Sequence, residues 1–164
     1  MKVKDLMTVT PRTCAPESTL GEAALTMGET RCGVLPVVER GRTVGMLTDR
    51  DICLALARDD ARPSEVRVDR AMSPDVHYLK EEDTHARALQ LMRRWRVRRL
   101  PVLGADRALR GIVTLDDLAL KATPEGEDGP TWADLVETFQ MICERQRLSP
   151  PSKPSPPTGP PVRY

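Results

Sequence analysis

A chain that repeats itself at a constant offset has few folds open to it. Setting "LMTVTPRTCAPESTLGEAALTMGETRCGVLPVV" above "AMSPDVHYLKEEDTHARALQLMRRWRVRRLPVL" places Met7 over Met72, Glu17 over Glu82, Thr19 over Thr84, Met27 over Met92 and Pro36 over Pro101, each 65 residues apart. After one extra residue in the second copy, Gly45 meets Gly111, Thr48 meets Thr114 and Asp51 meets Asp117. Two units of about 60 residues each follow from this alignment. A unit of that size buries too little surface to be comfortable alone, so the copies are expected to share a core.

Each unit carries the same element signals. An extended piece (residues 12–15; 76–79) precedes a helical stripe, Leu20, Ala23, Ala24 and Met27 in the first copy and Ala88, Leu89 and Met92 in the second. Thr19 and Glu22 have the spacing of a capping box. Two strand runs follow, "VLPVV" with "TVGML" and "RLPVL" with "RGIVT", and helical periodicity returns after Thr48 and Thr114. The predicted unit is β-α-β-β-α, giving an α+β fold with two repeats. The expected divisions are residues 1–60 and 61–123 for the repeats, 124–148 for a linker and amphipathic helix, and 149–164 for a proline-rich tail.

The stretches "GMLTDRD" and "GIVTLDD" hold the chemistry. Thr-x-x-Asp before a helical run is a capping signature in its own right. The same pair at a strand's end also suits a ligand. Free amides at a helix N-terminus attract anions, a hydroxyl can face a phosphate, and a carboxylate can hold ribose hydroxyls. Glycine three residues ahead leaves room for a close approach to the backbone. Arg50 in the first copy favours a phosphate, whereas Asp116 at the matching place repels one.

These motifs resemble those of a tandem pair of CBS (cystathionine β-synthase) domains, carried by "LMT…VLPVV…VGMLTDRDI" and "AMS…VRRLPVL…RGIVTLDDL" over about residues 3–121. The resemblance implies a module with pseudo-twofold symmetry and two clefts between the repeats. It also implies a homodimer, and a sensor role for an adenosine-containing ligand such as AMP, ADP, ATP, NAD or S-adenosylmethionine, with no cofactor required. Thr48 and Thr114 would then meet phosphate, and Asp51 and Asp117 ribose. The base would pack against Thr10, Pro11, Thr13, Leu35 and Pro36 in the first copy, and Asp75, Val76, Tyr78, Leu100 and Pro101 in the second. Arg98 and Arg99 stand where the family often places basic residues near the ligand, whereas Arg93, Arg94 and Arg96 are expected at solvent or a dimer surface.

Other function classes find less support. A net charge of +1 lacks the basic excess of a nucleic-acid binder. No apolar run reaches the length of a membrane span and the first residues lack a signal-peptide core, so a cytoplasmic protein without membrane attachment is expected. The four cysteines are widely spaced and expected to be buried thiols, and His77 and His85 have no neighbours at metal-ligand spacing. No nucleophile–base pair is visible, so an enzyme is not expected. The alternative to a nucleotide sensor signalling to an unknown protein partner is an interaction protein whose sites stay empty. Beyond the repeats, Thr131 and Asp134 open a helix whose apolar face is Trp132, Leu135, Val136, Phe139, Ile142 and Cys143.

Overall fold

A computed structural model of the chain describes residues 1–126 and 128–144. The proline-rich tail lies outside the described residues. In chain order the elements are β1 (Thr8–Val9), α1 (Leu20–Thr30), β2 (Val34–Glu39), β3 (Arg42–Thr48), α2 (Asp49–Asp59), α3 (His85–Trp95), β4 (Arg99–Leu103), β5 (Leu109–Thr114), α4 (Leu115–Ala119) and α5 (Trp132–Glu144). The repeats match in detail. The β2–β3 and β4–β5 pairs are antiparallel hairpins, each with a register shift directly after the valine of its Leu-Pro-Val run, between Val37 and Val38 and between Val102 and Leu103.

Each repeat has its own apolar core, and each core is completed by a segment from outside the repeat. The first gathers Leu20, Ala23, Met27, Leu35, Val37, Leu47 and Ile52 with Val66 and Val68, from the start of the second repeat. The second gathers Leu79, Leu89, Met92, Leu100, Val102, Val113 and Leu118 with Val3 and Leu6 from the start of the chain. Backbone pairing follows the same exchange. Thr8 and Val9 pair antiparallel with Ile112 and Gly111 of β5, and Ser73 bridges Met46 of β3. The expected shared core is thus two cores with crossed arms, because a 60-residue unit lacks the apolar surface to close alone.

Three local expectations change. The extended pieces at residues 12–15 and 76–79 make single parallel bridges, Cys14 to Val37 and Leu79 to Val102. Pro11, Pro16 and Pro74 nearby have no N–H to extend a ladder. Ala24 is exposed while its stripe partners Leu20, Ala23 and Met27 are buried. Helix α4 stops after five residues where its counterpart α2 runs for eleven, since Pro124 soon forces extended backbone.

Helix α5 packs on α3 and α4. Its inward face is Leu135, Thr138 and Ile142, while Trp132, Val136 and Phe139 stay more than half exposed. The buried Thr138 hydroxyl donates to the Asp134 carbonyl at 2.7 Å, which satisfies it within the helix. All four cysteines are free thiols. Against expectation, none is fully buried: Cys14, Cys32 and Cys143 are half-buried and Cys53 is exposed, and partial burial pushes the Cys14 thiol up to about 11. No described helix is long and apolar enough to cross a membrane.

Candidate ligand site

The threonine–aspartate pairs sit where a strand hands over to a helix, and each forms a complete capping box. Thr48 Oγ1 accepts from Asp51 N–H at 3.2 Å and donates to Asp51 Oδ2 at 2.7 Å, and Thr48 N–H donates to the same oxygen at 2.9 Å. Thr114 and Asp117 repeat this with 3.1, 2.7 and 2.7 Å. One carboxylate oxygen of each aspartate is therefore held by its cap, and Oδ1 takes none of these bonds. The capping reading is satisfied in full at both places.

The helix-start amides of α2 are also engaged. Asp49 N–H donates to the Gly33 carbonyl and Arg50 N–H to Asp49 Oδ1. An anion at the first site would thus meet side chains rather than free amides, which changes the expected role of this helix start. Arg50 is exposed there, as is Asp116 at the matching place.

What approaches the glycines is protein. A β-carbon on Gly45 would stand 2.6 Å from Met72 Sδ and 3.1 Å from the Ser73 carbonyl oxygen. On Gly111 it would stand 2.7 Å from Met7 Sδ and 2.8 Å from the Thr8 carbonyl oxygen. The exchanged arms lie in the space the glycines leave open.

This crossing reorders the expected base-contacting residues. Thr10 follows directly on β1, which is paired with Gly111, so it stands on the Thr114/Asp117 side. Its left-handed backbone (φ 48°) turns the chain through Pro11 and Thr13 towards Cys14, against β2. Asp75, Val76 and Tyr78 likewise run from Ser73, bridged to β3 near Thr48, towards Leu79 against β4. The sets therefore do not sort by copy as the alignment grouped them, because the arm that opens each repeat pairs with the other one. Leu35 and Leu100 point into the two cores and Pro36 and Pro101 are buried, so their backbones are what the clefts can reach. Tyr78 is exposed with the Arg107 guanidinium over its ring at 5.8 Å.

A surface cleft of about 380 Å³ lies beside Asp51, lined also by Leu54, Ala55, Arg58, Arg70 and Ala71. Arg58 is paired with Asp59 at 2.7 Å. Arg70 comes from the arm that opens the second repeat and was not singled out from the sequence. The available signal was that Arg70 aligns with Asp5, a charge reversal two residues before each repeat's methionine. Beside Thr114 the cations are different: Arg99 is its partner across β4–β5, with Arg98 next to it, where the first repeat has Gly33 and Val34.

The rest of the basic run has structural roles. Arg93 is not at solvent; it bonds Glu137 of α5 at 2.6 Å. Arg94 lies over the Trp95 ring, and Arg96 ends α3 in the left-handed conformation. No described group of three or more His, Cys, Asp or Glu side chains is placed to hold a metal ion.

Two α+β repeats that exchange arms and carry matching threonine–aspartate helix starts define a tandem-repeat module with paired sites. The CBS domain model matches residues 3–58 and again 65–122, and the chain belongs to the CBS domain family. CBS domain-containing protein YhcV of Bacillus subtilis is 43% identical over 122 residues, covering 72% of this chain and 83% of YhcV. Hypoxic response protein 1 of Mycobacterium tuberculosis is 32% identical over 139 residues, covering 84% of this chain and 91% of that protein. The solved CBS domain pair of protein MJ0100, in complex with 5'-methylthioadenosine and S-adenosyl-L-methionine, has a TM-score of 0.67 at 26% identity, covering 74% of this chain and 94% of the other. Such a pair is a regulatory module and not an enzyme.

Proposed function

We propose that the protein is a stand-alone CBS pair that binds an adenosine-containing ligand (AMP, ADP, ATP, NAD or S-adenosylmethionine) in the clefts between its repeats and passes the bound state to a protein partner. The observation that carries this reading is the duplicated Thr48/Asp51 and Thr114/Asp117 geometry, each with a carboxylate oxygen left over from its cap and an exchanged arm alongside. The MJ0100 pair, with its two adenosine compounds, supports the ligand class. A cleft whose walls come from both repeats couples occupancy to their packing, which is the shift of populations a sensor needs. A cytoplasmic homodimer is the proposed working form.

The two sites are proposed to differ. The Asp51 site has Arg50 and Arg70, where the Asp117 site has Asp116 and Asp5. The first then prefers a phosphorylated nucleotide, while the second, with Arg98 and Arg99, is the weaker phosphate site. Thermal-shift measurements against the five ligands test the reading. A ligand at a hundredfold excess over its dissociation constant adds about 2.7 kcal/mol of stability, and no response to any of them sinks it in favour of an interaction protein with empty sites. Titrating AMP into Asp51→Ala and Asp117→Ala tests the asymmetry, which equal losses would overturn.

A further inference from the structure

A second cleft, of about 390 Å³, runs beside α3 and is lined by Val76, His77, Tyr78, Lys80, Asp83, Arg87, Leu91 and Trp95. None of Thr48, Asp51, Thr114 or Asp117 lines it; it shares only Val76 and Tyr78 with the expected base contacts, and its remaining lining residues lie outside them. Its volume is that of a small-molecule site. We propose that this cleft binds a small organic anion, a carboxylate or phosphate carried on an apolar body.

One wall is aromatic and apolar. The His77 and Trp95 rings stack at 3.7 Å and 9°, and the Arg94 guanidinium covers Trp95 at 5.0 Å. Leu91 and Val76 continue this wall. The opposite chemistry is cationic: Lys80 and Arg87 pair with no carboxylate among the described residues. Arg87 is oriented by a 2.6 Å bond to Gln90 Oε1. The cleft's one carboxylate, Asp83, has its Oδ2 taken by the Lys80 backbone N–H at 2.8 Å.

The repeat supplies an internal control. At the positions aligned with His77, Tyr78, Lys80, Arg87, Leu91 and Trp95, the first repeat has Arg12, Thr13, Ala15, Glu22, Thr26 and Thr30. The cores stay apolar in both copies, while along this wall Thr13 and Thr30 give way to aromatic residues, Ala15 to Lys80 and the acidic Glu22 to Arg87. Arg87 also breaks a local rule. Helices α1, α2, α4 and α5 each pair an N-cap threonine with an acidic residue three places on, and α3 pairs Thr84 with a cation at its positive end. Departures from local consistency of this kind gather at functional places.

The test titrates benzoate and phenyl phosphate, with neutral benzamide as control, into Trp132→Phe protein, following the indole Nε1–H resonance of Trp95. Saturable shifts with the acids and none with benzamide are expected, and the tighter acid names the anion. Arg87→Glu restores the α1-type capping box, so it should fold, and it is expected to weaken binding at least about tenfold. Lys80→Ala, the first repeat's residue, is a second variant expected to weaken it. No saturable shift, an equal response to benzamide, or undiminished binding in both variants would overturn the proposal.

Discussion

The carbonyl oxygen of Thr8 lies 2.8 Å from where a β-carbon on Gly111 would stand. Gly111 is a close-approach residue, and the group it admits is backbone held in register by β1. At Gly45 the tightest neighbour is the Met72 thioether, with the Ser73 carbonyl farther off at 3.1 Å. A methionine side chain can swing away, whereas a paired carbonyl cannot. Gly111→Ala is therefore expected to cost about 1–3 kcal/mol, and Gly45→Ala less. Urea unfolding of the two variants checks the order; equal losses would show that the arms yield alike.

Capping is the second point of leverage. Thr48→Ala and Thr114→Ala should each cost about 1 kcal/mol, because the third amide of the helix loses its acceptor. Thr48→Ser keeps the hydroxyl and should stay within a few tenths of that amount of wild type. Chemical denaturation separates these. A serine variant as unstable as the alanine would mean that the threonine methyl, not its oxygen, carries the contribution.

These caps were legible in the sequence because capping is local: the threonine and the aspartate are three residues apart, and no distant part of the chain decides the geometry. The hairpins and the repeat were legible for the same reason. The exchange of arms was not. Val3 and Val68 are ordinary apolar residues at the start of each repeat, and the sequence carries no mark of which core receives them. Helix α5 shows a different failure. Its apolar residues fall on two faces, and hydrophobicity alone does not say that Thr138 goes inward while Phe139 stays out. The site suffers from both limits, since Arg70 reaches the Asp51 cleft only through the exchanged arm.

The first arm is also tied down by charge. Lys2 and Lys4 both bond Glu82, Lys4 at 2.8 Å. These lysines hold the Glu82 carboxyl down to about 2 from its ordinary 4.5. A lowered folded value means that its contribution is fully present above the unfolded value and is lost as pH falls from about 4.5 towards 2. The groups are exposed, so the contribution is small and salt weakens it. Comparing wild type with Glu82→Gln between pH 5 and pH 2 should show the wild type losing stability more steeply in that window. Parallel curves would remove Glu82 from the acid response.

The attachment of α5 offers a further test. Arg93 of α3 bonds Glu137 at 2.6 Å and lies 3.9 Å from Asp134. The Thr131 hydroxyl and amide, and then the Arg93 charge, hold the Asp134 carboxyl below its usual range. Arg93 is largely covered, while Glu137 is 59% exposed, so water screens one end of the pair. The coupling between the two is then expected at about 0.5–1 kcal/mol, the upper part of the range for exposed pairs. A double-mutant cycle with Arg93→Ala, Glu137→Ala and the double variant measures it. The single Arg93→Ala should cost more than the coupling, because truncation also removes a side chain that is only 24% exposed. A coupling near zero, with Arg93→Ala still destabilising, would assign the attachment of α5 to buried side-chain area, including Leu135 and Ile142, rather than to charge.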